Sequence, residues 1–111
     1  MILKNLTRNS IISTDLKAAD SPIDKFFGLL KKSNPRSLLF QTRLGMHTFF
    51  LKNSIDIIIL DRNLTIRKAS SVKPNKLFFY SPQYPYVVEL PNGTIIKSKT
   101  EIGDKLNIIK I

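Results

Sequence analysis

The sequence predicts a mainly β fold: a compact antiparallel β-barrel or jelly-roll-like sandwich, with one short α-helix over about residues 21–32. Three observations carry that expectation. Short runs of β-branched and aromatic residues recur along most of the chain, separated by turn residues such as Asn92-Gly93 and Gly103-Asp104. Only one segment, Ile23 to Leu30, spaces its apolar residues as a helix does. A parallel α/β sheet needs a crossover helix for each strand pair, and one helix does not supply that. With 111 residues, 42% of them apolar, the chain suits a single domain, 1–111, with one modest core.

The elements follow in order. Met1 to Leu6 and Ser10 to Lys17 read as a first hairpin turned at Arg8-Asn9. Ser21 is a natural helix N-cap, Pro22 suits the first helical position and Asp24 the capping-box position. Ile23, Phe26, Phe27 and Leu30 then form one apolar stripe, and Ser33-Asn34-Pro35 stops the helix. Ser37 to Gln41, His47 to Lys52, Ile55 to Leu60 and Leu64 to Ala69 read as strands, with a turn at Asp61-Arg62-Asn63. Residues 70–83 are less regular, broken by Pro74 and Pro82. Tyr84 to Leu90 and Thr94 to Ser98 read as a hairpin, because Asn92-Gly93 suits the positive φ angles of a type I′ turn. Lys105 to Ile111 is the last strand.

Composition excludes several function classes. There is no cysteine, hence no disulfide framework, thiolate metal site or thiol nucleophile. His47, the single histidine, has no acid within a few residues to complete a metal-ligand spacing. No serine stands in a nucleophile-elbow context, and the four glycines are isolated, so no phosphate-cradling loop is formed. No metal or cofactor is expected, and enzymatic activity ranks last. The longest apolar run, Ile57 to Leu60, is too short to span a membrane. Met1 to Leu6 turns polar too early for a secretory h-region, so a cytoplasmic location is expected.

The net charge of +10 is uneven. Residues 62–88 carry Arg62, Arg67, Lys68, Lys73 and Lys76 without an acidic residue, whereas residues 37–61 balance Arg43 and Lys52 against Asp56 and Asp61. Arg67, Lys68, Lys73 and Lys76 beside Tyr80 and Tyr84 form a candidate nucleic-acid or polyanion platform, cations steering the backbone and aromatics stacking bases. The simpler reading is that these aromatics fill the core and the lysines solvate the surface.

The most informative polar group is Lys52, Asn53, Ser54 and Asp56, set between two apolar runs, together with Glu89 inside Tyr84–Leu90. Charges in such places are paired, or put to use, because isolated buried charge is costly. Two readings stay open: a lock, in which Lys52 pairs Asp56 or Glu89 across a barrel seam, or a small ligand-binding site built from Lys52, Asn53, Ser54, Asp56 and Glu89. Asp61 is expected to end its strand and shape the turn.

Taken in order, several segments resemble the domain-of-unknown-function family 192. Lys25-Phe26-Phe27-Gly28-Leu29-Leu30-Lys31 is similar to the family's Arg-x-x-Gly-Leu-Met-x-Arg, and Phe50-Leu51-Lys52-Asn53-Ser54 to its Trp-Met-Lys-Asn-Thr. Ile55 to Asp61 resembles its Leu-Asp-Ile-Ile-Phe-Ile-Asp, and Val88 to Gly93 and Gly103-Asp104 resemble later pieces, so that the likeness spans roughly residues 10–109. Phe50 stands where the family has Trp, Leu30 and Leu51 where it has Met, and Lys25 where it has Arg, a fork that Lys does not reproduce. The resemblance implies a mostly β fold and no established activity. The resulting expectation is a small non-enzymatic binding or interaction domain, for an unknown small ligand or protein partner. The alternative is a polyanion binder using residues 62–86.

Overall fold

A computed structural model describes residues 1–18, 37–41, 46–47, 53–74, 77–78 and 83–110. The expected helix over 21–32 and most of the expected strand His47 to Lys52 lie outside these residues. The strands are β1 (Ile2–Asn5), β2 (Ser10–Ser13), β3 (Lys17–Ala18), β4 (Leu38–Gln41), β5 (Met46–His47), β6 (Ile55–Leu60), β7 (Ile66–Val72), β8 (Leu77–Phe78), β9 (Tyr86–Pro91) and β10 (Leu106–Ile109). A short helix, α1 (Thr94–Lys97), follows β9.

The strands form a three-stranded sheet, β10-β1-β2, a five-stranded sheet, β3-β4-β9-β6-β7, and a two-stranded ladder, β5-β8. The mainly β class holds; the closed barrel does not. Among the described residues, the five-stranded sheet runs in open order from β3 to β7, without a pairing that joins its ends. Nor is the pairing antiparallel throughout, since Lys17 and Ala18 run parallel to Leu38 and Leu39.

β6 explains the architecture. Ile55-Asp56-Ile57-Ile58-Ile59-Leu60 is apolar on both sides but for one aspartate, and all six residues are buried. A strand without polar alternation is stable only if both its faces are covered. Ile58 and Leu60, with Val88 and Leu90 of β9, pack against Leu3, Ile12, Leu16, Ile66 and Leu106. That cluster joins the five-stranded sheet to the three-stranded one. Ile55, Ile57 and Ile59 turn the other way and pack with Leu38, Val72 and Val87, with Tyr84 against them. At roughly 1.5–3 kcal/mol for each fully buried aliphatic side chain, these two clusters dominate the cohesion of the described fold.

The turns follow local chemistry. The β1–β2 hairpin turns through Asn9, at φ 52°, a conformation that asparagine tolerates better than most residues. Asp61 organises the β6–β7 turn as expected: its Oδ1 accepts the N–H groups of Asn63 and Thr65 at 2.9 and 3.0 Å. Burial alone raises the Asp61 pKa. The Thr65 N–H, the Arg67 guanidinium and the Asn63 N–H outweigh it and hold the carboxyl below its ordinary value.

The segment Thr94 to Ser98 is not the second strand of a hairpin; Thr94–Lys97 is helical. Gly93, at φ 92°, redirects the chain after β9. Thr94 Oγ1 donates to the Pro91 carbonyl at 2.6 Å, and Ser98 Oγ donates to the Thr94 carbonyl at 2.8 Å. The β-branched pair Ile95-Ile96 favours a strand by propensity, but remote capping overrides so short a preference.

Candidate functional site

Asp56 and Glu89 sit on neighbouring central strands, and strand register decides what they can do together. Asp56 is opposite Leu90, and Ile57 is opposite Glu89. Directly opposed residues share a face and successive residues alternate. Asp56 therefore faces the Ile58, Leu60 and Leu90 cluster, while Glu89 faces Ile57, Leu38 and Val87. The sheet itself stands between the two carboxyls. Asp56 and Glu89 therefore do not share one site.

Asp56, 2% exposed, has a definite structural task. Its Oδ2 accepts the Ile95 N–H at 2.8 Å. Gly93 at the N-cap has no side chain to offer an acceptor, and the first turn of a helix leaves donors unsatisfied. Asp56 supplies that acceptor from β6. We expect Asp56→Ala to lower stability by about 1–2 kcal/mol and to loosen residues 94–98 first, as read by amide hydrogen exchange.

Glu89 is different. Its side chain is buried, the residue is 4% exposed, and its Oε2 meets no hydrogen-bond partner among the described residues. Leu38 and Ile57 flank it across β4 and β6, with Val87 two residues before it on the same face. Burial among such neighbours disfavours the anion and raises the Glu89 pKa from 4.5 to about 8. At neutral pH the carboxyl is predominantly the neutral acid, one O–H donor with acceptor capacity left over.

The other expected site residues are dispersed. Asn53 is exposed and Ser54 half-buried, immediately ahead of β6. Lys52, and with it any pairing of Lys52 to Asp56 or Glu89, lies outside the described residues. In the basic set, Arg67 Nε binds Asp61 Oδ2 at 2.9 Å, and its guanidinium carbon lies 5.8 Å from the Tyr84 ring centroid. Lys68 and Lys73 are exposed, Tyr84 is half-buried, and Lys76 and Tyr80 lie outside the described residues. Among the described residues no three His, Cys, Asp or Glu side chains gather as metal ligands. No helix among them is long and apolar enough to cross a membrane.

A second polar cluster went unnoticed in the sequence. Asp104, 3% exposed, accepts through Oδ2 from Asn5 Nδ2 at 2.9 Å, Arg8 Nε at 3.1 Å and the Glu101 N–H at 2.9 Å. Asn5 Nδ2 also reaches Thr100 Oγ1 at 3.2 Å, and Arg8 pairs with Glu101. Burial by itself raises the Asp104 pKa. The bonds from Asn5, the Glu101 N–H and Arg8 outweigh it and draw the carboxyl below its ordinary value. The cluster ties the first hairpin to the C-terminal segment. One signal was legible: Asn5 shares the inward face of β1 with Leu3, where an unpaired amide is costly.

A family model described as "Uncharacterized ACR", DUF192, matches residues 4–108. The chain belongs to this family. Its DUF192 membership extends the resemblance seen in the sequence back into β1. The UPF0127 protein of Pyrococcus furiosus is 33% identical over 110 residues, covering 92% of this chain and 93% of that protein. The UPF0127 protein of Pyrococcus horikoshii is 31% identical over 111 residues, covering 95% and 96%. Two solved structures share the fold. A Sinorhizobium meliloti protein, provisionally described as a transcription regulator, superposes with a TM-score of 0.74 at 20% identity, covering 96% of this chain and 89% of that one. A protein of unknown function from Novosphingobium aromaticivorans gives 0.77 at 12% identity, covering 96% and 82%. These likenesses establish family and fold, and no activity comes with either.

Proposed function

We propose that this DUF192 domain is a non-enzymatic binding module whose recognition group is the Glu89 carboxyl. The observation that carries the reading is the buried Oε2 without a partner among the described residues, flanked on its sheet face by the aliphatic Leu38, Ile57 and Val87. Buried polar groups in native proteins are satisfied in the great majority of cases, and an exception calls for an explanation. A bound ligand supplies one. A neutral carboxyl between apolar walls is complementary to a group that both donates and accepts along one edge, such as a primary amide. Asn53 and Ser54, the polar residues ahead of β6, are proposed as accessory contacts, together with Lys52. Asp56 contributes by holding α1 rather than by touching ligand.

The test compares the wild type with Glu89→Leu, titrated with a series of aliphatic primary amides and followed by backbone NMR. The expected result is saturable shifts at Leu38, Ile57, Val87 and Glu89 in the wild type, and their loss in a folded Glu89→Leu. Equal responses in the two proteins reject the proposal. The polyanion reading is weaker, because Arg67 already serves Asp61 and Tyr84. Tight binding of single-stranded RNA that falls steeply with salt and disappears in Lys68→Glu/Lys73→Glu reinstates it.

A further inference from the structure

The outward face of the three-stranded sheet carries three isoleucines where solvent-facing sheets are ordinarily polar. Leu3 and Leu106 turn inward to the core, so Ile2 and Lys4 of β1 turn outward. The register sets Ile2 beside Ile109, and Lys4 between Asn107 and Ile11. Ile11 is 51% exposed and Ile109 39%. The three strands carry no Asp or Glu, and Lys110 follows directly on β10.

We propose that this face docks on an anionic lipid surface, as a peripheral contact that does not span the bilayer. The combination of aliphatic side chains with a central lysine matches that partner: isoleucines enter the acyl boundary while lysines meet the head-group charge. Nucleic acid fits less well, because β1, β2 and β10 carry no aromatic residue on which a base could stack. A second copy of the chain fits less well too, because it brings two molecules of net charge +10, each with its Lys4, into one contact. The face is also small. Three four-residue strands present far fewer than the roughly 20–30 residues a side of a stable protein interface. A weak lipid contact assembled from two modest signals has no such requirement.

The experiment is co-sedimentation of the full chain with phosphatidylcholine vesicles, with and without phosphatidylglycerol. Binding is expected only where phosphatidylglycerol is present. Ile11→Ser/Ile109→Ser and Lys4→Glu are each expected to lower partitioning by about tenfold. Arg62→Glu, in the β6–β7 turn, controls for loss of a basic charge away from this face. In parallel, vesicles are expected to shield the Ile2, Ile11 and Ile109 methyl groups from a soluble paramagnetic agent, a readout that needs no variant. Three results overturn the proposal: no binding to anionic vesicles; binding weakened as much by Arg62→Glu as by Lys4→Glu, with the methyl groups unshielded; or a concentration-dependent dimer that Ile11→Ser/Ile109→Ser dissolves, which assigns the face to a second copy.

Discussion

Asp104→Ala is expected to be among the most damaging single changes in the described fold, lowering stability by about 2–3 kcal/mol in chemical denaturation. The loss has a specific cause. One buried oxygen accepts from Asn5, Arg8 and the Glu101 N–H; removing it leaves the Glu101 N–H without its acceptor, the Asn5 amide with Thr100 alone and the Arg8 guanidinium with Glu101 alone. Domains of this size are stable by only about 5–15 kcal/mol, so a change of that magnitude leaves little margin. Asp104→Asn keeps an acceptor but not the charge and is expected to fall between wild type and alanine. The pH dependence has a definite sign. The Asp104 carboxyl is held below its ordinary value of 3.8, so in acid the unfolded chain takes up its proton before the folded one. The stabilisation is complete above that ordinary range and is lost as pH falls through the depressed folded value. Acid unfolding of the wild type, monitored by circular dichroism, is expected to flatten in Asp104→Asn.

Glu89 is expected to act in the opposite direction. Its folded pKa of about 8 lies above the ordinary 4.5, so between those values the folded protein keeps a proton that the unfolded chain releases. Stability then falls as pH rises across this interval, by roughly 1.4 kcal/mol per pH unit at most and a few kcal/mol in all, and levels off above the folded pKa. Glu89→Gln removes the titration, and Glu89→Leu removes the buried polar group as well. Both are expected to be more stable than wild type at pH 8, with the difference shrinking towards pH 4.5. Urea midpoints measured across that range check it. A residue that costs stability at neutral pH and is improved by an apolar replacement is placed for something other than folding, which is the thermodynamic side of the binding proposal.

Local chemistry made much of this fold legible. The Arg8-Asn9 hairpin and the Asp61 turn depend on interactions between residues close in sequence, and the run of β6, apolar but for Asp56, marks a strand covered on both faces; each was readable from its own residues. Thr94–Lys97 was not. Ile95-Ile96 looks like a strand until a carboxylate 39 positions earlier in the chain binds the Ile95 N–H. The Asp104 cluster was hidden for the same reason, since Asn5 and Asp104 are 99 residues apart. Gly103-Asp104 was recognised only as a turn. The candidate site was half legible. Composition and context singled out Asp56 and Glu89 as polar groups in apolar surroundings, and both are buried. What sequence alone left open was the register of β6 on β9. A shift of one residue would put the two carboxyls on one face; the observed register puts the sheet between them.

The most direct measurement is an NMR titration of the Glu89 side-chain carboxyl, assigned by comparison with Glu89→Gln. A midpoint near 8 is the expected result. A midpoint near 4.5 means that the carboxyl is solvated or already satisfied, and it contradicts the assignment of Glu89 as a buried group awaiting a partner.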